Sequence, residues 1–447
     1  MPEDPDSHHH PASPIALQSS SRTPAKQDGA SVSTQNDKDV RLLDRLEHFT
    51  WAWFCLPMST GGIALLLSPA VQPHNFPGLN TIGKVVYIFD LTIFTLVTLA
   101  ISYRFLRWRN TLWDSLTHPT ESLFAATALL STASIIACIA RYGISTIGVA
   151  NAGWLIVTYR TLFWVYFIVT FIWAVFAYTL LFTSPALELR DMTPAWDLPI
   201  FPFMLSGTIA STGASYQPPD QAVPMIVAGL TAQGLGFIIS ILMYAIYMHR
   251  MIEFGFPATK ARPAMFIAVG PPSFTSLAIL GMANAWPRQY INYFGSNIYP
   301  DDSIGVPQQE LTTIQIMRVL ATVMSIFIYT LAAWFFAIAV VACFLKFRRM
   351  TFHLNWWAFV FPNVGFTIAT IQIGKVLMSP GIEWVGSVMS IGVVVTWFFV
   401  AANHIWALWN RQILWEGMDE DVYKTEALNS HKMQQSRKGL MDEEKQD

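Results

Sequence analysis

Four stretches of the chain break an apolar run with proline, then follow it closely with small and hydroxylated side chains. Pro57 precedes Ser59, Thr60, Gly61 and Gly62, and Pro202 precedes Ser206, Gly207 and Thr208. Pro271 and Pro272 precede Ser273 and Thr275, and Pro362 precedes Asn363, Gly365 and Thr367. A proline inside a helix removes a backbone hydrogen bond from the carbonyl four residues earlier. Lipid tolerates such a defect only where the affected groups face protein or a watery cavity. Broken helices at repeating positions therefore mark a transport path built by internal duplication. The prolines are spaced 145, 70 and 90 residues apart, so the first gap has room for one more copy.

The chain is 53% hydrophobic and only 13% charged, against roughly 25% charged in soluble proteins. Lipid-facing surface accounts for the missing charge. A net charge of −2 argues against a nucleic-acid partner. Cys55, Cys138 and Cys343 lie in apolar runs and offer neither a disulfide framework nor metal spacing. Residues 1–40 are polar and include His8-His9-His10, an isolated tract. This segment is expected to be a disordered tail, as is 416–447, leaving 41–415 as the membrane domain.

A spanning helix needs roughly 20 mostly apolar residues. The qualifying runs are 51–67, 85–103, 123–140, 162–182, 198–214, 223–247, 264–285, 316–345, 356–377 and 382–409. Trp51, Trp53, Trp108, Trp113, Trp196, Trp286, Trp356, Trp357 and Trp409 lie near run ends, where aromatic belts belong. One alternate set of connections carries Arg104, Arg107, Arg109, Arg190, Arg250, Lys260, Arg262, Lys346, Arg348 and Arg349; the other carries Arg141, Arg288 and Lys375. That bias predicts that the first set and both tails are cytoplasmic. Residues 41–49 have helical apolar spacing, suited to an interfacial helix or to an extension of the first span.

The proline breaks fall on the first, fifth, seventh and ninth runs. Ser131, Thr132, Ala133 and Ser134 mark the third, which lacks a proline. The expected fold is therefore all-α and integral to the membrane, with ten helices forming five hairpin repeats. Broken odd helices would line a central pore and even helices would buttress it.

The segment His48-Phe49-Thr50-Trp51-Ala52-Trp53-Phe54 with Pro57-Met58-Ser59-Thr60-Gly61-Gly62 resembles the tellurite-resistance/dicarboxylate transporter family. That family includes fungal malic acid transporters, plant slow anion channels and fungal sulfite pumps. The resemblance continues through His118-Pro119-Thr120-Glu121 and through the stretch from Trp356 to Thr367, and covers about residues 41 to 415. It implies five hairpins around a pore, a homotrimer with one pore per subunit, and a C4-dicarboxylate substrate such as malate, succinate or fumarate. It also implies a phenylalanine gate from the ninth helix, here Phe361 or, second, Phe366. The missing proline of the third span departs from the pattern.

A dianion crossing lipid needs a positive potential that is weak and distributed, because a permanent cation would trap it. Half-helix dipoles supply one. Hydroxyls of Ser59, Thr60, Ser206, Thr208, Ser273, Thr275 and Thr367 and the amide of Asn363 can donate to carboxylate oxygens; the same small residues also permit close helix packing. Lys375 lies four turns, roughly 20 Å, beyond Phe361 and is the candidate cation of an outer vestibule. Arg160 and Arg318 read as struts to Asp90 or Glu310, and His404 as a structural histidine. Sulfite efflux or inorganic anion conduction is the alternative function. An integral-membrane enzyme is remote, since the histidines after the tail are scattered singly and nothing implies a cofactor. Coupling to protons stays open; no acidic residue falls clearly beside the path.

Overall fold

The computed structural model describes residues 45–118, 120–183, 188–288 and 313–414. Both tails, residues 41–44 and Glu310 lie outside the described residues. The described chain is all-helical, without a strand. The helices that carry it are α1 (Cys55–Leu66), α2 (Leu79–Arg107), α3 (Glu121–Ile147), α4 (Gly153–Thr183), α5 (Phe201–Gly213), α6 (Pro219–Phe254), α7 (Gly270–Ala285), α8 (Thr313–Phe344), α9 (Phe361–Val376) and α10 (Pro380–Trp409). Among the described residues, eight helical stretches are long and apolar enough to cross a membrane. α1 and α5 are shorter, so they make their depth with the turns that precede them.

Those turns explain the prolines. Each proline lies within the first three residues of its α-helix, where a missing N–H costs nothing because that N–H has no intrahelical partner. Upstream of each runs a 3-10 helix: Trp51–Phe54, Pro194–Asp197, Thr259–Val269 and Leu354–Phe359. The carbonyls that proline deprives are not left free. Leu198 O accepts from Phe201 N at 3.2 Å, and Ile267 O accepts from Gly270 N. α3 reaches the same irregularity without proline. It breaks at Ala125 and passes through a π-helical turn at Ile139–Ile144.

The odd helices form a closed ring: α1 packs on α3, α3 on α5, α5 on α7, α7 on α9, and α9 on α1. The even helices lie outside it. α2 packs on α1, α6 on α5, α8 on α7 and α10 on α9, while α4 packs on both α3 and α5. Burial follows the same division. The most apolar windows of α3, and of α7 and α9 with their 3-10 entries, are 72, 89 and 89% buried, while those of the even helices are 17 to 39% buried. A helix whose apolar surface is left mostly uncovered by protein is suited to lipid, so the chain is a multi-pass membrane protein.

The sequence motifs meet in space. Arg104 on α2 is buried and pairs with Glu121 at the start of α3 at 2.6 Å, while its Nη1 also donates to Phe49 O at 2.8 Å. Ser59 Oγ donates to Trp357 O at 3.3 Å, tying α1 to the entry of α9. The aromatic belt needs correction. Trp53, Trp286, Trp356 and Trp357 are buried in the protein, whereas Trp113 and Trp409 are exposed. Trp357 donates to His404 Nδ1 at 3.2 Å, and Trp53 packs on the same imidazole with centroids 4.9 Å apart, which gives His404 a structural role. The Asp90 struts need correction too. Among the described residues Asp90 makes no ion pair, its carboxylate lying against Gly61 of α1, on which Ser134 of α3 also packs.

Candidate functional site

Two small cavities lie within the ring and share Phe361. The first, about 20 Å³, is lined at its ends by Cys55, Phe201, Phe361 and Pro362, with Thr127 and Ile267 on its walls. Three α-helix N-termini, those of α1, α5 and α9, therefore border it, and although N–H groups such as those of Cys55 and Phe201 donate into the 3-10 turns, the positive ends of the helix dipoles favour negative charge there. The second, about 50 Å³, is lined by Gly62, Thr208, Phe274, Val364 and Gln372, and by Arg141 from the π-helical turn. A single water needs about 10–15 Å³ of such space, so neither cavity admits an organic anion as it stands. Phe361 lies between the two cavities and lines both.

Phe361 belongs to a cluster of three rings. Phe361 stacks on Phe274 of α7 with centroids 5.0 Å apart, and meets Phe201 of α5 edge-on at 6.4 Å. Phe201 and Phe274 touch at 5.7 Å. Each ring lies over a glycine that leaves room for it. A Cβ on Gly62 would stand 3.2 Å from Phe361, one on Gly270 2.6 Å from Phe201, and one on Gly365 2.7 Å from Phe274. Aromatic pairs in such offset and edge geometries attract beyond their burial. Phe366 points elsewhere: it stacks on Tyr329 of α8 at 4.9 Å and meets Phe336 at 5.2 Å, away from both cavities.

The polar candidates divide. Thr208 lines the second cavity; its Oγ1 has no hydrogen-bond partner, and neither has Ser206 Oγ. The others have local partners. Thr60 Oγ1 donates to Leu56 O and accepts from Trp397 Nε1; Ser273 Oγ donates to Val269 O; Thr367 Oγ1 donates to Asn363 O. Thr275 Oγ1 accepts from Gln233 Nε2 at 2.8 Å, and Asn363 Nδ2 donates to Phe359 O at 2.9 Å. Lys375 Nζ donates to the carbonyls of Ala70 at 3.0 Å and Val71 at 2.7 Å, fastening the loop after α1 to the end of α9. A larger, mainly apolar groove of about 850 Å³ lies between α6 and α8 on the outer side of α7, with Thr275 and Gln233 in its lining.

Sequence reasoning missed Phe201, Phe274 and Arg141 as site residues. The two phenylalanines sit next to the proline motifs, so the signal was present. Arg141 was counted only as loop charge, because nothing in sequence announces a π-helical turn that carries it to the cavity.

With this geometry in hand, comparison with known proteins is decisive. The pattern of the voltage-dependent anion channel family matches residues 48–405. The chain belongs to this family. A malic acid transport protein of Schizosaccharomyces pombe is 35% identical over 389 residues, covering 86% of this chain and 84% of the relative. A putative malic acid transport protein of the same organism is also 35% identical, over 86% of this chain and 85% of its own. A sulfite efflux pump of Trichophyton rubrum is 27% identical over 82% of this chain and 93% of the pump. The family and these relatives are transporters or channels.

Proposed function

We propose that the chain carries C4-dicarboxylates such as malate across the plasma membrane, through the axis of its ring. The observation that carries the reading is the ring itself, whose broken helices enclose cavities along one path closed by Phe361. Similarity to proteins named for malic acid transport, closer in identity than the similarity to the sulfite pump, supports the substrate class. Helix N-termini at the first cavity and Arg141 at the second supply the positive potential an anion needs. Neither cavity is lined by an aspartate or glutamate, which favours channel-like passage, or carriage of protonated substrate, over a relay of acidic side chains. The working unit in this reading has ten spans, both tails in the cytoplasm and three subunits with one path each. It performs transport, not catalysis.

Purified full-length protein in separate liposome sets tests this. Flux of malate, and of succinate or fumarate, is expected without sodium dependence. Ready movement of sulfite, chloride or nitrate with malate at background would reassign the substrate.

A further inference from the structure

We propose that Arg141 is the carboxylate-recognising residue of the second cavity and the determinant that separates dicarboxylates from simple inorganic anions. This rests on the transport reading above. Arg141 sits in the π-helical turn of α3, and such turns redirect side chains that a regular helix would carry elsewhere. Its side chain lines the cavity directly beyond the three-ring closure. No hydrogen bond or ion pair joins its guanidinium to the other described residues, whose ion pairs are Arg104–Glu121 and His249–Glu253. The other nearby cation, Lys375, is committed to two backbone carbonyls.

A second observation points to a ligand in the same place. Thr208 is 8% exposed, lines this cavity, and its Oγ1 has no partner. Buried hydroxyls are normally satisfied; this one is an unpaired, buried donor on a residue that lines the same cavity as the guanidinium. Gln372 from α9 adds an amide to the same wall. A planar guanidinium matches a carboxylate with two parallel N–H···O bonds, which a spherical halide cannot accept. One carboxylate on Arg141, with Thr208 and Gln372 toward the rest of the molecule, selects an organic acid by shape as well as charge. Phe274 and Phe361 line the same cavity, so room for the whole acid opens only when the ring cluster moves.

Arg141→Gln and Arg141→Lys in the full-length protein test the assignment, with malate and chloride as probes. Two readouts apply: liposome flux, and the shift in Tm that each anion produces on the purified protein. In Arg141→Gln the KM for malate is expected to rise at least tenfold and the malate-induced Tm shift to vanish, with chloride flux changed less than threefold. Arg141→Lys keeps the charge but not the fork, and is expected to leave malate KM severalfold above wild type. An unchanged malate KM and Tm shift in Arg141→Gln would overturn the proposal while leaving malate transport standing. Equal losses for malate and chloride would overturn it too, reducing Arg141 to a source of potential. If wild type itself neither moves nor is stabilised by malate, the transport reading fails first and this inference with it. Should Arg141→Gln fail to fold, Arg141→Lys together with Thr208→Val decides: wild-type malate KM in both sinks the assignment.

Discussion

Phe361 and Phe366 lie five positions apart on one helix, and the difference between them is which neighbour they face. Phe361 is 2% exposed and fills the space between two cavities, against Phe201 and Phe274. Phe366 fills the seam with α8. Phe361→Ala is therefore expected to raise passive anion leak severalfold. Phe366→Ala is expected to leave leak at wild-type level and to cost about 3 kcal/mol of stability, the low end for deleting a buried phenylalanine. Anion conductance per folded protein and Tm, measured on both variants, check the pair; leak from Phe366→Ala alone would invert the assignment. The sequence made the position of a ninth-helix phenylalanine legible because proline marks the kink beside it. It left two candidates because side-chain direction depends on which helices flank α9. The partners Phe201 and Phe274 come from α5 and α7, and no local pattern states that three helices converge.

At the scale of the element, proline punctuation was the most legible feature and its physical meaning was half read. The expectation of a broken helix is met by a 3-10 helix that passes into an α-helix at the proline. The proline stops the α-helix from extending backwards, because it cannot donate the N–H that another turn would require. Pro362→Ala restores that donor. Since proline is well tolerated in a first turn, the substitution is expected to change stability by less than about 1 kcal/mol. It is expected to reduce malate flux severalfold, because Leu354–Phe359 becomes free to wind as α-helix and Phe361 turns off the axis. Flux and Tm measured together decide it; full flux with unchanged Tm would show that the 3-10 entry is held by packing alone. α3 shows the limit of punctuation as a guide. Its irregular turns at Ala125 and Ile139–Ile144 carry no proline, so the sequence marked only a missing copy. The even helices were also underread, since α4 begins at Gly153, nine residues before the expected start at 162, with Tyr159 and Arg160 inside it.

For the whole molecule, the ring and its outer layer turn a count of helices into a statement about sides. Each odd helix, four of them from a 3-10 entry and α3 from its broken start at Glu121, runs toward the side of the second cavity, and each even helix returns. Arg104, Arg107, Arg190, Arg250, Arg262, Arg348 and Arg349 lie on the side of the 3-10 entries; Arg141, Lys375 and Arg288 lie on the other, as do Lys84, Arg160 and Arg318 in the first turns of α2, α4 and α8. Positive charge is retained on the cytoplasmic side of short loops, which predicts that the first cavity faces the cytoplasm and the second faces out. An even number of crossings would then put both tails on the cytoplasmic side. Epitope tags at residues 20 and 430 are expected to stay inaccessible in intact cells and to label after permeabilisation. Labelling of one tail alone from outside would mean an odd number of crossings, and the shorter helices α1 and α5 would be the first suspects. Labelling of both would invert the molecule, and Arg141 would then receive its carboxylate from the cytoplasm, making the protein an exporter by its point of recognition.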